Sequence, residues 1–394
     1  MMISQTDCRK QEKQDLDTSS DLDRDINSAI STHRFSQENI NEKTTESFVT
    51  ELVAQLEGFE GQINCMALMG TTAINSVQVN TLFLGSQTHI VTDNDGELKT
   101  VCGNLYIVDI KDIANPKIID RFPSDTRDMV VWEQWLISIS INGLICVYDM
   151  SAPTEPILIL QHQHLQRIDK MILENSESCD LIPSLFIKTF DQGFTQLDLF
   201  ALPNNLKVGA MINTSVQDSS MASLSISNEK NDRFKRLFYY SENNRLSTAL
   251  LNGFSKKFDI QDANNLQLDS PISAISLNNR MLLLATRDGQ FYSIPYSSSK
   301  GIGYFDPKRN LIPSISLDAE INSIQIHSRL AIVIGRNVLA ILDISNSRCL
   351  VEMYHLKLDS PIKDVEVVDS HLLVQTLNGL SIYHLNLLDE MIVD

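Results

Sequence analysis

Between Met129 and Leu160 the chain reads MVVWEQWLISISINGLICVYDMSAPTEPILIL, and its apolar residues fall into four short runs. Met129–Val131, Trp135–Ser140 and Leu144–Met150 alternate apolar with polar positions, and Asn142-Gly143 stands between the second and the third. Alternation at a period of two marks a strand, whose successive side chains point to opposite faces. Asn-Gly between two such runs predicts a hairpin closed by a two-residue turn with positive φ at both central positions. A fourth run, Ile157–Leu160, follows Pro153 and Pro156. The stretch therefore predicts a four-stranded antiparallel unit of about 40 residues. So small a sheet has nothing within itself to cover its two faces, and whether the unit repeats decides the fold.

It does repeat. Gly103-Asn104-Leu105-Tyr106-Ile107-Val108-Asp109-Ile110 matches Gly143-Leu144-Ile145-Cys146-Val147-Tyr148-Asp149-Met150, 40 positions on, and Pro116 maps onto Pro156 at the same offset. Later hairpin signals stand at Asp191-Gln192-Gly193, Asn243-Asn244, Asp288-Gly289, Gly335-Arg336-Asn337 and Asn378-Gly379. A second series, Leu268-Asp269-Ser270-Pro271-Ile272, Leu317-Asp318-Ala319-Glu320-Ile321 and Leu358-Asp359-Ser360-Pro361-Ile362, marks unit starts 49 and then 41 residues apart. Seven hairpins and seven inner strands predict an all-β chain, a seven-bladed β-propeller of four-stranded antiparallel blades.

The blades are predicted at about 61–121, 126–161, 166–211, 218–259, 270–316, 319–357 and 360–386. The first carries a polar excursion, Ser86–Lys99, the fourth a charged insertion, Asn228–Arg236, and the fifth a long outer loop, Ser297–Asn310. FVTELVAQL, at 48–56, fits a helical face through Phe48, Leu52 and Leu56, and it fits an alternating strand equally well. The ring decides for a closure strand at about 48–57, since pairing it with the last blade removes two open sheet edges. Residues 1–47 hold six Lys/Arg and ten Asp/Glu among Ser, Thr, Asn and Gln, without apolar periodicity. Such a segment cannot offset its ordering entropy by burial, so a disordered polar tail is expected.

The formal net charge of −18 argues against nucleic acid or an anionic membrane as partner, because both need Lys and Arg to neutralise phosphates. No apolar run approaches the roughly 18–20 residues that span a bilayer, so no membrane insertion is expected. The start, MMISQTDCRKQEK, lacks the apolar core of a signal peptide. None of the six cysteines forms a CxxC pair, and reduced thiols fit a cytoplasmic, intracellular protein, the nucleus included.

Tyr106-Ile107-Val108-Asp109-Ile110, followed by ANPKII, resembles the signature of the LVIVD-repeat propellers, and Val147–Met150 and Ile341–Ile344 resemble it more loosely. Leu56-Glu57-Gly58-Phe59-Glu60-Gly61 is similar to the opening of a WD repeat, with Phe59 where that family has histidine. There is no Trp-Asp dipeptide and no regular Gly-His element, so the His–Asp network of WD blades is not expected. The resemblance implies an interaction platform and brings no catalytic residues.

Candidate chemistry is sparse. His162-Gln163-His164 supplies two imidazoles but no nearby third metal ligand. Gly301-Ile302-Gly303 is a glycine fragment with no helix behind it, and Ser138, Ser140 and Thr286 lack a nucleophile elbow. The Asp ending each third strand (Asp109, Asp149, Asp198, Asp343) reads as a turn-closing group rather than a carboxylate ring. Of Trp132 and Trp135, one is expected in a blade core and the other on a face. No metal or cofactor is expected.

The informative set is the loops that lead into the inner strands, because function on β-scaffolds concentrates on loops held by the sheets beneath. These loops would present Phe59, Asp125, Arg127, Arg167, Asp269, Asp318, Glu320 and Asp359 on one face of the ring. The acidic members suggest a basic segment of a partner protein. The leading reading is thus a non-catalytic protein–protein interaction scaffold, a monomer or a subunit of a hetero-complex. One alternative is a propeller enzyme, a hydrolase, lactonase or oxidoreductase with a central site. The inner strands instead offer apolar Ile63, Met129, Ile168, Ile272, Ile321 and Ile362 at or near their starts. A second alternative is an adaptor acting through its tail and anchored by the ring.

Overall fold

The computed structural model describes residues 50–385 except 74–75, 93–95, 154, 175–183, 191–192, 200–201, 203, 205, 213–220, 226–234, 253–256, 279–280, 296–314, 318, 328, 347–349 and 378. Within them every regular element is a strand. A first strand, β1 (Thr50–Leu56), precedes the blades. Blade 1 follows as β2 (Ile63–Ala73), β3 (Ser76–Ser86), then a separate two-stranded hairpin β4 (His89–Thr92) and β5 (Leu98–Val101), then β6 (Asn104–Asp109) and β7 (Lys117–Pro123). The polar excursion after Ser86 is therefore not plain loop. Its HIVT and LKTV alternate well enough to pair, and Ile90 and Leu98 stay exposed on the free hairpin.

Blade 2 is β8 (Asp128–Trp132), β9 (Trp135–Ile139), β10 (Leu144–Asp149) and β11 (Ile157–Gln163). Blade 3 is β12 (Ile168–Glu174), β13 (Ser184–Thr189), β14 (Gly193–Asp198) and β15 (Lys207–Ile212). Blade 4 is β16 (Met221–Ser225), β17 (Lys235–Glu242), β18 (Arg245–Asn252) and β19 (Lys257–Gln267). Blade 5 is β20 (Ile272–Leu277), β21 (Met281–Thr286), β22 (Gln290–Pro295) and β23 (Ile315–Ser316). Blade 6 is β24 (Ile321–His327), β25 (Leu330–Gly335), β26 (Val338–Asp343) and β27 (Val351–Lys357). Blade 7 has three consecutive strands, β28 (Ile362–Val368), β29 (His371–Thr376) and β30 (Gly379–Leu385), and its fourth is β1, antiparallel to β30. The fold is a seven-bladed propeller of four-stranded antiparallel sheets.

The apolar runs explain the ring. In blade 1 Leu82 and Leu84 pack against blade 7, with Leu373, Leu380 and Ile382, while Phe83 between them packs against blade 2 with Leu136 and Ile137. Tyr106 and Val108 divide from Leu105 and Ile107 in the same way. A strand buried on both faces needs apolar residues at every position, and its alternation then sorts them between two neighbours. Further clusters fill the clefts between blades 4 and 5, 5 and 6, and 6 and 7.

One device recurs that the repeat pattern did not reveal. The second strand of six blades ends in a buried hydroxyl residue, namely Ser86, Ser140, Thr189, Ser241, Thr286 and Thr376. At the turns that follow, Ser140 Oγ accepts from Leu144 N at 3.1 Å and Thr286 Oγ1 accepts from Gln290 N at 3.2 Å. The turns differ from the two-residue form expected at Asn142-Gly143. Ser140 N donates to Leu144 O at 2.8 Å and Gly143 N to Ser140 O at 3.1 Å, so three residues, Ile141 to Gly143, stand between the last paired positions, and of Asn142 and Gly143 only Gly143 has positive φ, at 86°. Asp288-Gly289 repeats the arrangement, with φ of 83° at Gly289. Asn378 lies outside the described residues. Two-residue turns occur elsewhere, at Glu133, Asn243 and Asp369, each with positive φ.

Two outcomes are expected of these contacts. A Cβ on Gly143 would stand 2.5 Å from Gln166 O at a φ that β-branched residues avoid, so Gly143→Val should cost at least about 1 kcal/mol in denaturant unfolding. A chain starting at Gly58 lacks β1 and bares the β30 edge, whose Leu380 and Ile382 are fully buried. It should aggregate or lose cooperative unfolding in calorimetry, whereas a soluble product of equal melting temperature would show that closure by β1 is dispensable.

Candidate functional site

Each inner strand enters its blade through a position where the chain changes from loop to ladder. In five blades this position is a β-bulge, with Asn64, Asp169, Ser273, Asn322 and Lys363 as the unpaired extra residues. Blade 2 does the same with Arg127, whose N donates to Ile139 O at 2.7 Å although Asp128 is the partner of Ile139. A bulge re-aims a side chain out of the sheet's alternation. All six bulged residues line one cavity of about 430 Å³ at the axis of the ring, while Ile63, Ile168, Ile272 and Ile362 just before them are buried between blades and the buried Ile321 borders the cavity.

The residues following the bulges carry the strongest electrostatic perturbation. The inner strand is the open edge of each sheet, and its unpaired amides face the axis. Asp128 Oδ2 of blade 2 accepts from Met171 N of blade 3 at 2.6 Å, and its Oδ1 accepts from Met129 N at 2.9 Å. Asp364, at the equivalent place in blade 7, accepts from Met66 N of blade 1 at 3.3 Å and from Val365 N at 2.9 Å. Cys65 occupies this place in blade 1, between the two. Burial first, and Asp128 next, push the Asp364 carboxyl up to about 6. Burial raises Asp128 as well, and it raises the Cys65 thiol with the two aspartates adding to it. Glu366 is pushed up to about 8 by burial and then by Asp364.

The eight residues expected on this face divide. Arg127 and Glu320 line the cavity, where Arg127 pairs with Asp169 at 2.9 Å and Glu320 meets Arg287 at 3.6 Å. Asp269 and Asp359 are exposed on the loops around it. Arg167 is exposed and lies over the Phe190 ring at 5.0 Å. Asp125 accepts a bond from Thr88 N at 2.8 Å. Phe59 packs edge-on against Tyr106 at 5.1 Å, and the Tyr106 hydroxyl accepts from Glu60 N and donates to Glu60 O, so this aromatic pair anchors the loop. Asp318 lies outside the described residues.

The cavity itself is mixed in charge, with Arg127, Lys170, Lys188, Arg287 and Lys363 beside Asp128, Asp169, Glu320 and Asp364. Sequence reasoning passed over Lys170, Lys188, Lys363 and Asp364 because they sit inside strands, and the only available signal was a charged residue one or two places after a buried isoleucine. Other candidates find structural work. Asp109, Asp149 and Asp343 each accept a bond from the amide two residues on, closing the turn to the fourth strand. Trp135 is buried, and Trp132 packs half-buried on the same cluster at the far end of β8 rather than on a face. His164 bonds the backbone of Gln166, and no group of three or more potential metal ligands occurs among the described residues. Gly301-Ile302-Gly303 falls outside them.

No family model and no curated protein sequence matches the chain. Solved propellers match in fold. Sqt1 of Saccharomyces cerevisiae has a TM-score of 0.56 at 9% identity, covering 85% of this chain and 98% of its own. Sqt1 of Chaetomium thermophilum, solved bound to the N-terminus of ribosomal protein L10, has 0.57 at 12%, covering 85% and 100%. The Dos1 propeller has 0.53 at 13%, covering 86% and 95%. At such identities the likeness is one of architecture.

The raised carboxyls have a consequence for stability. A folded-state value above the unfolded one gives stability that is complete below the unfolded value and is lost as pH rises through the folded value, here through about 6 for Asp364 and about 8 for Glu366. Each group contributes a slope of up to about 1.4 kcal/mol per pH unit inside its window. Gln325 holds the Glu366 position in blade 6, where its amide nitrogen donates to Val365 O of the next blade at 2.7 Å, so the position accommodates a neutral side chain. Glu366→Gln should raise the melting temperature at pH 8.5, leave it nearly unchanged near pH 4, and flatten the profile between; a fall at pH 8.5 would contradict the assignment.

Proposed function

We propose that this propeller is a non-catalytic protein-interaction platform, and that the face carrying the inner-strand bulges is where a partner docks. The observation that carries the reading is the convergence of six re-aimed side chains, from six blades, on one axial cavity framed by rigid sheets. An extended segment laid across the face would meet that cavity at its centre and the exposed Asp269 and Asp359 on the surrounding loops. Those carboxylates suit basic residues of the segment, and rim charges of this kind act on association rate and salt dependence. The fold neighbour Sqt1 of C. thermophilum supports the reading, since it binds the N-terminus of ribosomal protein L10. The free thiols Cys65, Cys102 and Cys146 agree with a cytoplasmic setting.

The test is charge reversal on the rim. Asp269→Lys with Asp359→Lys should abolish recovery of the partners that the wild type captures. The melting temperature should stay within a few degrees, because isolated exposed carboxylates contribute little to stability. A double variant that keeps every wild-type partner would remove this face from consideration.

A further inference from the structure

We propose that the central cavity is a receptor for a side-chain carboxylate from an acidic stretch of the docked partner, held by Lys170, Lys363 and Arg127; this rests on the docking face proposed above. Each carboxylate already in the cavity is committed. Asp169 holds Arg127 at 2.9 Å and Lys188 at 3.5 Å, and Glu320 faces Arg287 at 3.6 Å. Asp128 and Asp364 are turned onto the amides of Met171 and Met66. Lys170 and Lys363 line the same cavity from blades 3 and 7, are exposed, and make no direct ion pair among the described residues, although the Lys170 ammonium acts on Asp128 and Asp364 through space.

Positive charge is crowded at that point. Burial and then the guanidinium groups of Arg127 and Arg336 hold the Lys363 ammonium below its ordinary value, and an incoming anion would relieve the repulsion. The crowding is local, since the chain as a whole carries −18. A cavity of about 430 Å³ admits a side-chain carboxylate with its hydration. A single negative charge fits better than a phosphate, whose second charge would meet Asp128 and Asp364. The partner then reads as basic flanks over the rim and an acidic centre over the axis, the inverse of the face it covers.

Fluorescence anisotropy on the full chain tests this with two labelled peptides, Gly-Glu-Glu-Glu-Gly and Gly-Lys-Lys-Lys-Gly, at low ionic strength. The acidic peptide should bind, with affinity falling as salt rises, and free glutamate should displace it less effectively than the unlabelled peptide. Lys170→Gln with Lys363→Gln should weaken it about tenfold or more, while Lys170→Arg with Lys363→Arg retains it and so separates lost charge from lost fold. The proposal is overturned if the acidic peptide does not bind, or if the Gln variant binds as the wild type does. It is also overturned if inorganic phosphate displaces the peptide better than the unlabelled peptide does, which would make the cavity a phosphate site, or if free glutamate does so, which would make it a small-molecule site. Failure here alongside partner loss in the Asp269→Lys/Asp359→Lys variant would remove the carboxylate receptor and leave the docking face standing.

Discussion

A blade of this protein is stable only between two others. Its two middle strands carry apolar residues on both faces, so the sheet covers Leu82 and Leu84 on one side and Phe83 on the other only when neighbours press from both directions. Burial of a large apolar side chain is worth roughly 1.5–3 kcal/mol, and each central strand contributes several. A linear stack would leave two such faces in water. Closing the stack into a ring removes both ends, and the last blade, which has three strands of its own, is completed by β1 from the beginning of the chain. Stability of the ring is therefore tied to one seven-residue strand far from the rest of its sheet in sequence.

Closure has a cost at the axis. Seven inner strands turn open edges toward one another, and buried amides without partners are expensive. Aspartates 128 and 364 answer this by bonding the amides of the next blade, which brings two carboxylates and Glu366 into a confined space. Their raised proton affinities follow from that arrangement. Gln325 also bonds the backbone of the next blade, but as a donor, from its amide nitrogen to Val365 O. Lys170 and Lys363 line the same cavity with their side chains exposed.

The candidate site was legible only in part. Loops that lead into strands announce themselves through Leu-Asp-Ser-Pro-Ile and its variants, which is how Asp269 and Asp359 come to light. Phe59 and Asp125 share those loops yet hold them together, against Tyr106 and Thr88. Loop position cannot distinguish a side chain that serves the loop from one that serves a partner. Lys170 and Lys363 fall within strands, where alternation assigns a side chain to a sheet face, and a bulge one residue earlier changes that assignment with no mark in the sequence.

By itself the sequence determined the class of structure: alternation at a period of two, glycine-bearing turns and a repeat near 40 residues allow antiparallel blades and little else. It determined their number as well, because each blade needs its own hairpin. The tertiary structure alone decided that three residues, Ile141 to Gly143, separate Ser140 from its partner Leu144 at the Asn142-Gly143 turn. It alone decided that Asp128 and Asp364 are partners in one cavity although 236 positions separate them. The reason is physical. Local backbone preference and hydrophobic period act over a few residues and can be read along the chain, whereas charge, burial and edge bonding act through space and exist only once the ring has closed.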